Sequence, residues 1–296
     1  MTQTVGMPDG RDVAVECWGA PNGMPIFLLH GTPGSRYGPR PRASILYRLG
    51  VRLISYDRPG YGGSDPHPGR TVADAAYDIE VIAKDFGLDS FGVVGRSGGG
   101  PHALACAALL PDWVQSAAVL VSLAPSDAKN LDWYEGMAES NVDEYCVADA
   151  DPAAVRARLD EQAAQVRGNP ECMFESLERN LTRRDRRVVD DIAIRRQLTD
   201  TYAEAVKNGG AGWADDVLAL RRPWGFDLED IQVPVLLWHG ADDVFSPVTH
   251  TEWLAGKVPG AVMKVQPGAA HFEAVEVLPQ VLGWLKGARK SERVRV

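Results

Sequence analysis

Val93-Val94-Gly95-Arg96-Ser97-Gly98-Gly99-Gly100 decides how the chain is read. A serine follows an apolar run directly, and three glycines carry the chain into sequence that favours a helix. A strand-to-helix turn this tight has no space for certain β-carbons, so Gly95 and Gly99 let backbone approach backbone. The serine side chain is then lifted clear of the sheet, beside the unpaired N–H groups and positive dipole end of a helix start. Taken alone the pattern has rivals, since phosphate-binding loops and plain serine caps use the same residue types. A dinucleotide fingerprint fails on spacing: no Gly-x-Gly-x-x-Gly runs through Gly95, and no acid stands near the end of the next apolar run, Val119-Leu120-Val121-Ser122. No Gly-Lys-Ser/Thr occurs, which removes a Walker loop.

Outward from this turn, short apolar runs at residues 25–30, 51–57, 91–95 and 117–123 read as buried strands. Helical stretches at 43–49, 72–86 and 99–110 separate them, an alternation that predicts a parallel sheet. Residues 5–18 hold Pro8-Asp9-Gly10 between apolar stretches, the signal of an antiparallel hairpin at the sheet edge. From 126 to 230 the sequence becomes charged and helix-favouring, with helices predicted at 153–166, 173–181 and 188–206. The alternation resumes with strands at 234–239 and 261–266 and helices at 248–258 and 278–286. The expected class is α/β: a mostly parallel twisted sheet with helices on both faces, its core contributed by 1–125 and 231–296 and split by a helical cap at 126–230.

A serine hydroxyl at neutral pH needs a base, and the base needs an orienting acid. After the strand at 234–239 comes His239-Gly240-Ala241-Asp242-Asp243-Val244-Phe245-Ser246-Pro247, and after 261–266 comes Pro267-Gly268-Ala269-Ala270-His271-Phe272. Parallel strand ends share one rim, where ligands bind in open α/β sheets, so Ser97, an acid at 242 or 243 and His271 are expected to converge. Their order, Ser then Asp then His, together with His30-Gly31-Thr32-Pro33-Gly34, Asp57-Arg58-Pro59-Gly60-Tyr61-Gly62-Gly63-Ser64 and Gly240 to Pro247, resembles the α/β-hydrolase superfamily over most of the chain outside the cap. The resemblance implies an α/β-hydrolase fold and selects Asp243 over its runner-up Asp242 as the acid. It also implies that backbone N–H groups of Thr32 and Gly98 form the oxyanion hole. Asp127, at the end of the preceding parallel strand, is a lesser candidate for the acid. Relatives that act on epoxides and haloalkanes use an aspartate where this chain has Ser97.

The expected activity is cofactor-independent hydrolysis of a small carboxylic ester through an acyl-enzyme. His30-Gly31-Thr32-Pro33-Gly34-Ser35 is also similar to the proline iminopeptidases, and such an aminopeptidase would need Asp143, Glu144 or Asp149 to hold an ammonium group. A carbon–carbon bond hydrolase or perhydrolase on the same triad is a further alternative, and a silent ligand-binding protein is one of another class. Trp133, Tyr134, Trp213 and Trp224 are pocket candidates from the cap. His30, His239 and His102 read as structural, and His67 and His250 as surface residues. Asp57 and Arg58 read as pins for their own turn, and Arg183-Arg184-Asp185-Arg186-Arg187 as a solvated helix face.

Composition bounds the rest. The 296 residues are 45% hydrophobic and 24% charged, with 31 Lys and Arg against 40 Asp and Glu, and the net charge of −9 argues against a nucleic-acid partner. No apolar stretch approaches the roughly 18 residues needed to cross a bilayer, and the start of the chain lacks a secretory pattern, so a cytoplasmic protein without a membrane partner is expected. Four separated cysteines signal neither a disulfide framework nor a zinc site, no metal-ligand spacing occurs, and the basic segment 286–296 reads as a frayed end. A small-molecule substrate is the expected partner of a monomer or homodimer.

Overall fold

A computed structural model describes residues 2–288; residues 289–296, most of the basic closing segment, lie outside the described residues. The expected hairpin forms from β1 (Gln3–Gly6) and β2 (Asp12–Gly19), which pair antiparallel. There follow β3 (Met24–Leu29), α1 (Ala43–Leu49), β4 (Val51–Tyr56), α2 (Asp74–Asp85), β5 (Phe91–Arg96), α3 (Gly99–Leu109) and β6 (Val114–Leu120). Six helices come next: α4 (Glu139–Ala150), α5 (Pro152–Gly168), α6 (Cys172–Leu177), α7 (Arg183–Val189), α8 (Ile192–Ala205) and α9 (Ala211–Leu220). The chain ends in β7 (Val235–Gly240), α10 (Val248–Ala255), β8 (Val262–Gln266) and α11 (Glu273–Gly287). The sheet order is β1-β2-β4-β3-β5-β6-β7-β8, parallel from β4 to β8.

The continuous apolar runs are explained by burial on both faces. Phe27 and Leu29 join one core cluster with Val93 and Ile54, while their neighbours Ile26 and Leu28 join another with Val94 and Leu53. β8 differs because it is an edge, with Val262 and Val265 exposed and Lys264 between them, a charge of the kind that blunts edge pairing. The strand expected at 117–123 stands three residues earlier, and Val121 at φ +47° turns the chain out of the sheet. The last helix begins at Glu273, with Pro279 inside it.

Three of the cap helices escape a periodicity search. In α4, polar and apolar residues are spread round the whole helix; α7 is short and held by a capping box between Thr182 and Asp185; α9 is buried on every side and therefore shows no stripe. α9 carries Asp216, a fully buried carboxylate. It accepts from Arg58 Nε at 3.0 Å, Tyr61 Oη at 2.9 Å and Thr32 Oγ1 at 2.6 Å, is paired with Arg58 Nη2, and stands 2.7 Å from Arg70 Nη2. Burial pushes its pKa up, but the charges of Arg58 and Arg70 prevail and hold it well below the carboxylate range. Arg58 also donates to the His30 carbonyl at 2.6 Å and the Gly31 carbonyl at 3.1 Å, so this one acid ties the cap to the β3 rim. Replacing Asp216 by Ala strands two buried guanidiniums, and the expected loss is about 3–5 kcal/mol in a urea titration. A loss below about 1 kcal/mol would contradict this account.

Candidate active site

Ser97 occupies the turn between β5 and α3 at φ +54°, a conformation rare for residues other than glycine. Its N–H donates to the Leu120 carbonyl at 2.8 Å and its carbonyl accepts from Gly100 N–H at 2.8 Å, so both flanks of the turn are pinned. A β-carbon on Gly95 would overlap the Gly99 carbonyl, and one on Gly99 would overlap the Leu29 carbonyl, which is why the turn needs its glycines. A β-carbon on Gly98 would overlap Thr32 Oγ1 and stand 3.4 Å from Thr32 N. The backbones of Thr32 and Gly98 are thus neighbours, and among the described residues neither N–H donates to another group. Asp216 holds the Thr32 side chain, and the buried His102 donates from Nδ1 to the Gly98 carbonyl at 2.8 Å. Burial, then the charge of Arg58, lowers the His102 pKa to about 3, so the ring is neutral and its Nδ1–H is the donor.

His271 lies between β8 and α11. Its Nδ1 stands 2.8 Å from Asp243 Oδ2. Asp243 is buried and accepts from the N–H groups of Phe245 at 2.8 Å and Ser246 at 3.1 Å, with His239 Nε2 3.3 Å away. Burial raises its pKa, but His271 and the hydrogen bonds from both histidines outweigh this and bring it well below the usual value. Ser246 Oγ donates to the Val121 carbonyl at 2.7 Å, a group that the φ +47° turn at Val121 presents, and lies 3.4 Å from His271 Nδ1. Asp242 is exposed, as is Asp127, and neither meets His271. The histidine loop is clamped on both sides: Glu273 accepts from Ala270 N–H at 2.6 Å, and the buried Asp185 of α7 accepts from Phe272 N–H at 2.8 Å. Among the described residues no hydrogen bond joins Ser97 Oγ to His271, although both line one cavity; such contacts tighten when a substrate binds.

Two adjoining cavities meet at Ser97. The larger, about 210 Å³, is lined by Thr32, Gly98, Glu144, Arg158 and Trp213, and the smaller, about 90 Å³, by Gly31, Arg96, Tyr202, His271 and Phe272. Burial, the largest effect on it, raises the Glu144 pKa to about 7. Of the four aromatic pocket candidates only Trp213 lines these cavities. Trp133 is drawn away because its Nε1 donates to the Ala124 carbonyl at 3.0 Å and its ring packs on His250 and under Arg221. Tyr134 meets it edge-to-face with its hydroxyl on Asp149, and Trp224 stacks on Phe226 along a separate cleft.

His250 corrects a second expectation. It is fully buried, accepting at Nδ1 from Ala124 N–H at 3.0 Å, with Nε2 donating to the Trp133 carbonyl at 3.0 Å. Asp57 and Arg58 also reach further than their own turn, Asp57 to Arg36 and Arg58 to Asp216. In the basic run, Arg186 pairs with Glu178 at 3.0 Å and Arg187 with Glu276, while Asp185 is the buried clamp rather than part of a solvated face. The Thr182-x-x-Asp185 capping box was the available signal for Asp185, and an acidic pair inside the apolar Ala211–Leu220 segment the signal for Asp216. Among the described residues no helix is long and apolar enough to cross a membrane, and no group of three or more His, Cys, Asp or Glu is placed to hold a metal ion.

The alpha/beta hydrolase fold family matches residues 24–276. A pimeloyl-[acyl-carrier protein] methyl ester esterase of Chromobacterium violaceum is 30% identical over 257 residues, 84% of this chain and 87% of its own. A non-heme chloroperoxidase of Streptomyces lividans is 27% identical over 248 residues, covering 82% of this chain and 83% of its own. The solved structure of an esterase from Exiguobacterium antarcticum superposes with a TM-score of 0.68 at 22% identity, covering 97% of this chain and 98% of that one, a likeness of fold. The chain belongs to the alpha/beta hydrolase fold family, and it is a hydrolase.

Burial, the main cause, lowers the His250 pKa to about 4 from 6.5, so the folded ring stays neutral where the unfolded one takes up a proton. Its contribution to stability is present above pH 6.5 and is lost as the pH falls toward 4. The denaturant midpoint is expected to drop across that window by the equivalent of up to about 3 kcal/mol, and to drop less in His250→Gln. Parallel profiles for the two proteins would refute the assignment.

Proposed function

We propose that the chain is a serine esterase acting on a small carboxylic ester through an acyl-enzyme. The observation that carries the reading is Ser97, strained at φ +54° on the wall of a cavity shared with His271, whose Nδ1 is held by Asp243 at 2.8 Å. Asp243 fixes the proton on Nδ1 and leaves Nε2 as the base. Ser97 Oγ attacks the ester carbonyl carbon and gives its proton to His271 Nε2; the carbonyl oxygen becomes an oxyanion between the N–H groups of Thr32 and Gly98. Collapse expels the alcohol, which takes the proton from His271. Water then attacks the acyl-enzyme, delivers a proton to His271, and releases the acid as Ser97 recovers its own. No step calls for a cofactor, and a small-molecule ester is the partner, whether the chain acts as a monomer or homodimer.

One observation favours a second reading. Glu144 lines the larger cavity, and of the three cap acids considered for an ammonium group it is the one placed there. An aminopeptidase would use its carboxylate. Because its pKa is raised to about 7, turnover of prolyl-naphthylamide by this route would climb as the pH rises through 7.

The deciding experiment is intact-mass labelling with a fluorophosphonate, followed by kinetics on methyl esters. Wild type is expected to gain one adduct that Ser97→Ala lacks and His271→Ala acquires only slowly. Gly98→Ala, which forces Thr32 aside, is expected to retain labelling but to lose about 10²-fold or more in kcat. Equal labelling of wild type and Ser97→Ala overturns the mechanism.

A further inference from the structure

Arg96 precedes the nucleophile and lines the smaller cavity beside Ser97 and His271. Its guanidinium is surrounded by protein, and the residue as a whole is half-buried. The other arginines near the site have carboxylate partners: Arg58 and Arg70 in Asp216, Arg36 in Asp57 and Glu204, and Arg158 in Asp143. Arg96 is different. Among the described residues no carboxylate pairs with it and no carbonyl accepts from its side chain. Asp243 is near enough to feel its charge, but the oxygens of Asp243 are already engaged by His271, Ser246 and two backbone N–H groups. A guanidinium carries five donors and stays charged, so burying it without an anion costs stability unless something else supplies the anion.

A second, separate feature points at the same space. Tyr202 of α8 lines this cavity and lies close enough to sense the charge of Arg96, and its hydroxyl has no hydrogen-bond partner among the described residues. Two donors from different parts of the chain therefore face one small space. Gly31 sets the distance from there to the reacting atom: a β-carbon built on it would stand 3.5 Å from Ser97 Cβ and 3.7 Å from Arg96 Nη2, so the two side chains flank one bare Cα. The larger cavity carries a carboxyl, Glu144, which repels an anion whenever it is ionised, and its one guanidinium, Arg158, is already paired with Asp143 at 2.7 Å.

From this arrangement, and resting on the serine-esterase reading above, we infer that Arg96 and Tyr202 form a carboxylate subsite and that the substrate is a monoester of a short dicarboxylic acid. The free carboxylate sits on Arg96, the ester carbonyl reaches Ser97 Oγ, and the alcohol part leaves by way of the larger cavity. Arg96 is then a specificity residue: it binds the far end of the acyl chain and takes no part in the proton transfers.

The test compares monomethyl glutarate with its neutral amide, methyl 5-amino-5-oxopentanoate, which has the same shape without the charge. Methanol release gives kcat/KM for each. Wild type is expected to favour the anion, and the ratio of the two kcat/KM values is expected to fall about tenfold or more in Arg96→Gln, as for a lost charged hydrogen bond. Arg96→Lys keeps the charge but not the fork and is expected to fall between them. A wild type that does not favour the anion, or a ratio unchanged by Arg96→Gln, overturns the inference. Folding gives an independent readout. Because Arg96 has no partner to strand, Arg96→Met is expected to melt no lower than wild type, and glutarate is expected to raise the Tm of wild type but not of the variant. A clear fall in the Tm of Arg96→Met would make the arginine structural and also overturn the inference. The two readings fail separately: loss of fluorophosphonate labelling at Ser97 refutes the esterase, whereas intact labelling with no preference for the anion refutes the subsite alone.

Discussion

A carboxylate placed in a protein interior must be neutralised where it sits, and Asp216 is placed where the cap meets the rim of the sheet. Its partners come from two separate connections: Thr32 after β3, and Arg58, Tyr61 and Arg70 between β4 and α2. Each of those loops would otherwise be free to choose its own path. Because Arg58 also takes the carbonyls of His30 and Gly31, the backbone that presents the Thr32 N–H is fixed from both sides. The preorganisation that the proposed oxyanion hole requires would therefore not come from the glycine-rich turn alone. It would depend on an ionic lock whose keystone belongs to the cap.

The same economy of charge separates structural groups from chemical ones. Around Asp216 both guanidiniums, Arg58 and Arg70, have their counterion. Around Ser97 the pattern changes: Asp243 is held ionised by His271, His239 and two backbone N–H groups, Glu144 is pushed by burial toward the neutral acid at pH 7, and Arg96 has no carboxylate partner among the described residues. Two carboxyls a few residues from one serine thus have opposite tendencies, set by donors in one case and by desolvation in the other. A fold that can saturate Arg58 so thoroughly has no physical need to leave Arg96 unpaired, and the unpaired state costs stability.

How much of this was legible in the sequence follows from which interactions are local. The parallel strands are buried on both faces and so appear as unbroken apolar runs; the elbow announces itself because a tight turn admits only glycine at two positions; Asp243 and His271 stand just beyond strand ends. What escaped was long-range. Trp133 and His250 lie 117 residues apart and each satisfies the other's environment, so neither shows its burial in its own neighbourhood. Asp185 looked like one acid in a basic run, yet it is the acceptor for the Phe272 N–H, 87 residues away. α9 carried no stripe because a helix buried all round has none, and its acidic pair, the one local anomaly, was the trace of the lock.

These contacts alter what the cap is for. If it were only a cover, its residues would bear on which molecules enter and the core would hold the chemistry. Instead α9 fixes the loop of Thr32 through Asp216, α7 fixes the loop of His271 through Asp185, and α8 sets Tyr202 beside Arg96. Ser97 is positioned by β5, the Leu120 carbonyl and the start of α3. In the proposed esterase, the oxyanion donors, the base and the carboxylate subsite would all depend on helices from the segment between β6 and β7. Substrate preference and catalytic rate would then be coupled. A change that reshapes the cap to admit a different acyl group also shifts the loops that hold the donors and the imidazole, and a displacement of about 1 Å there is enough to cost about 10²-fold in rate.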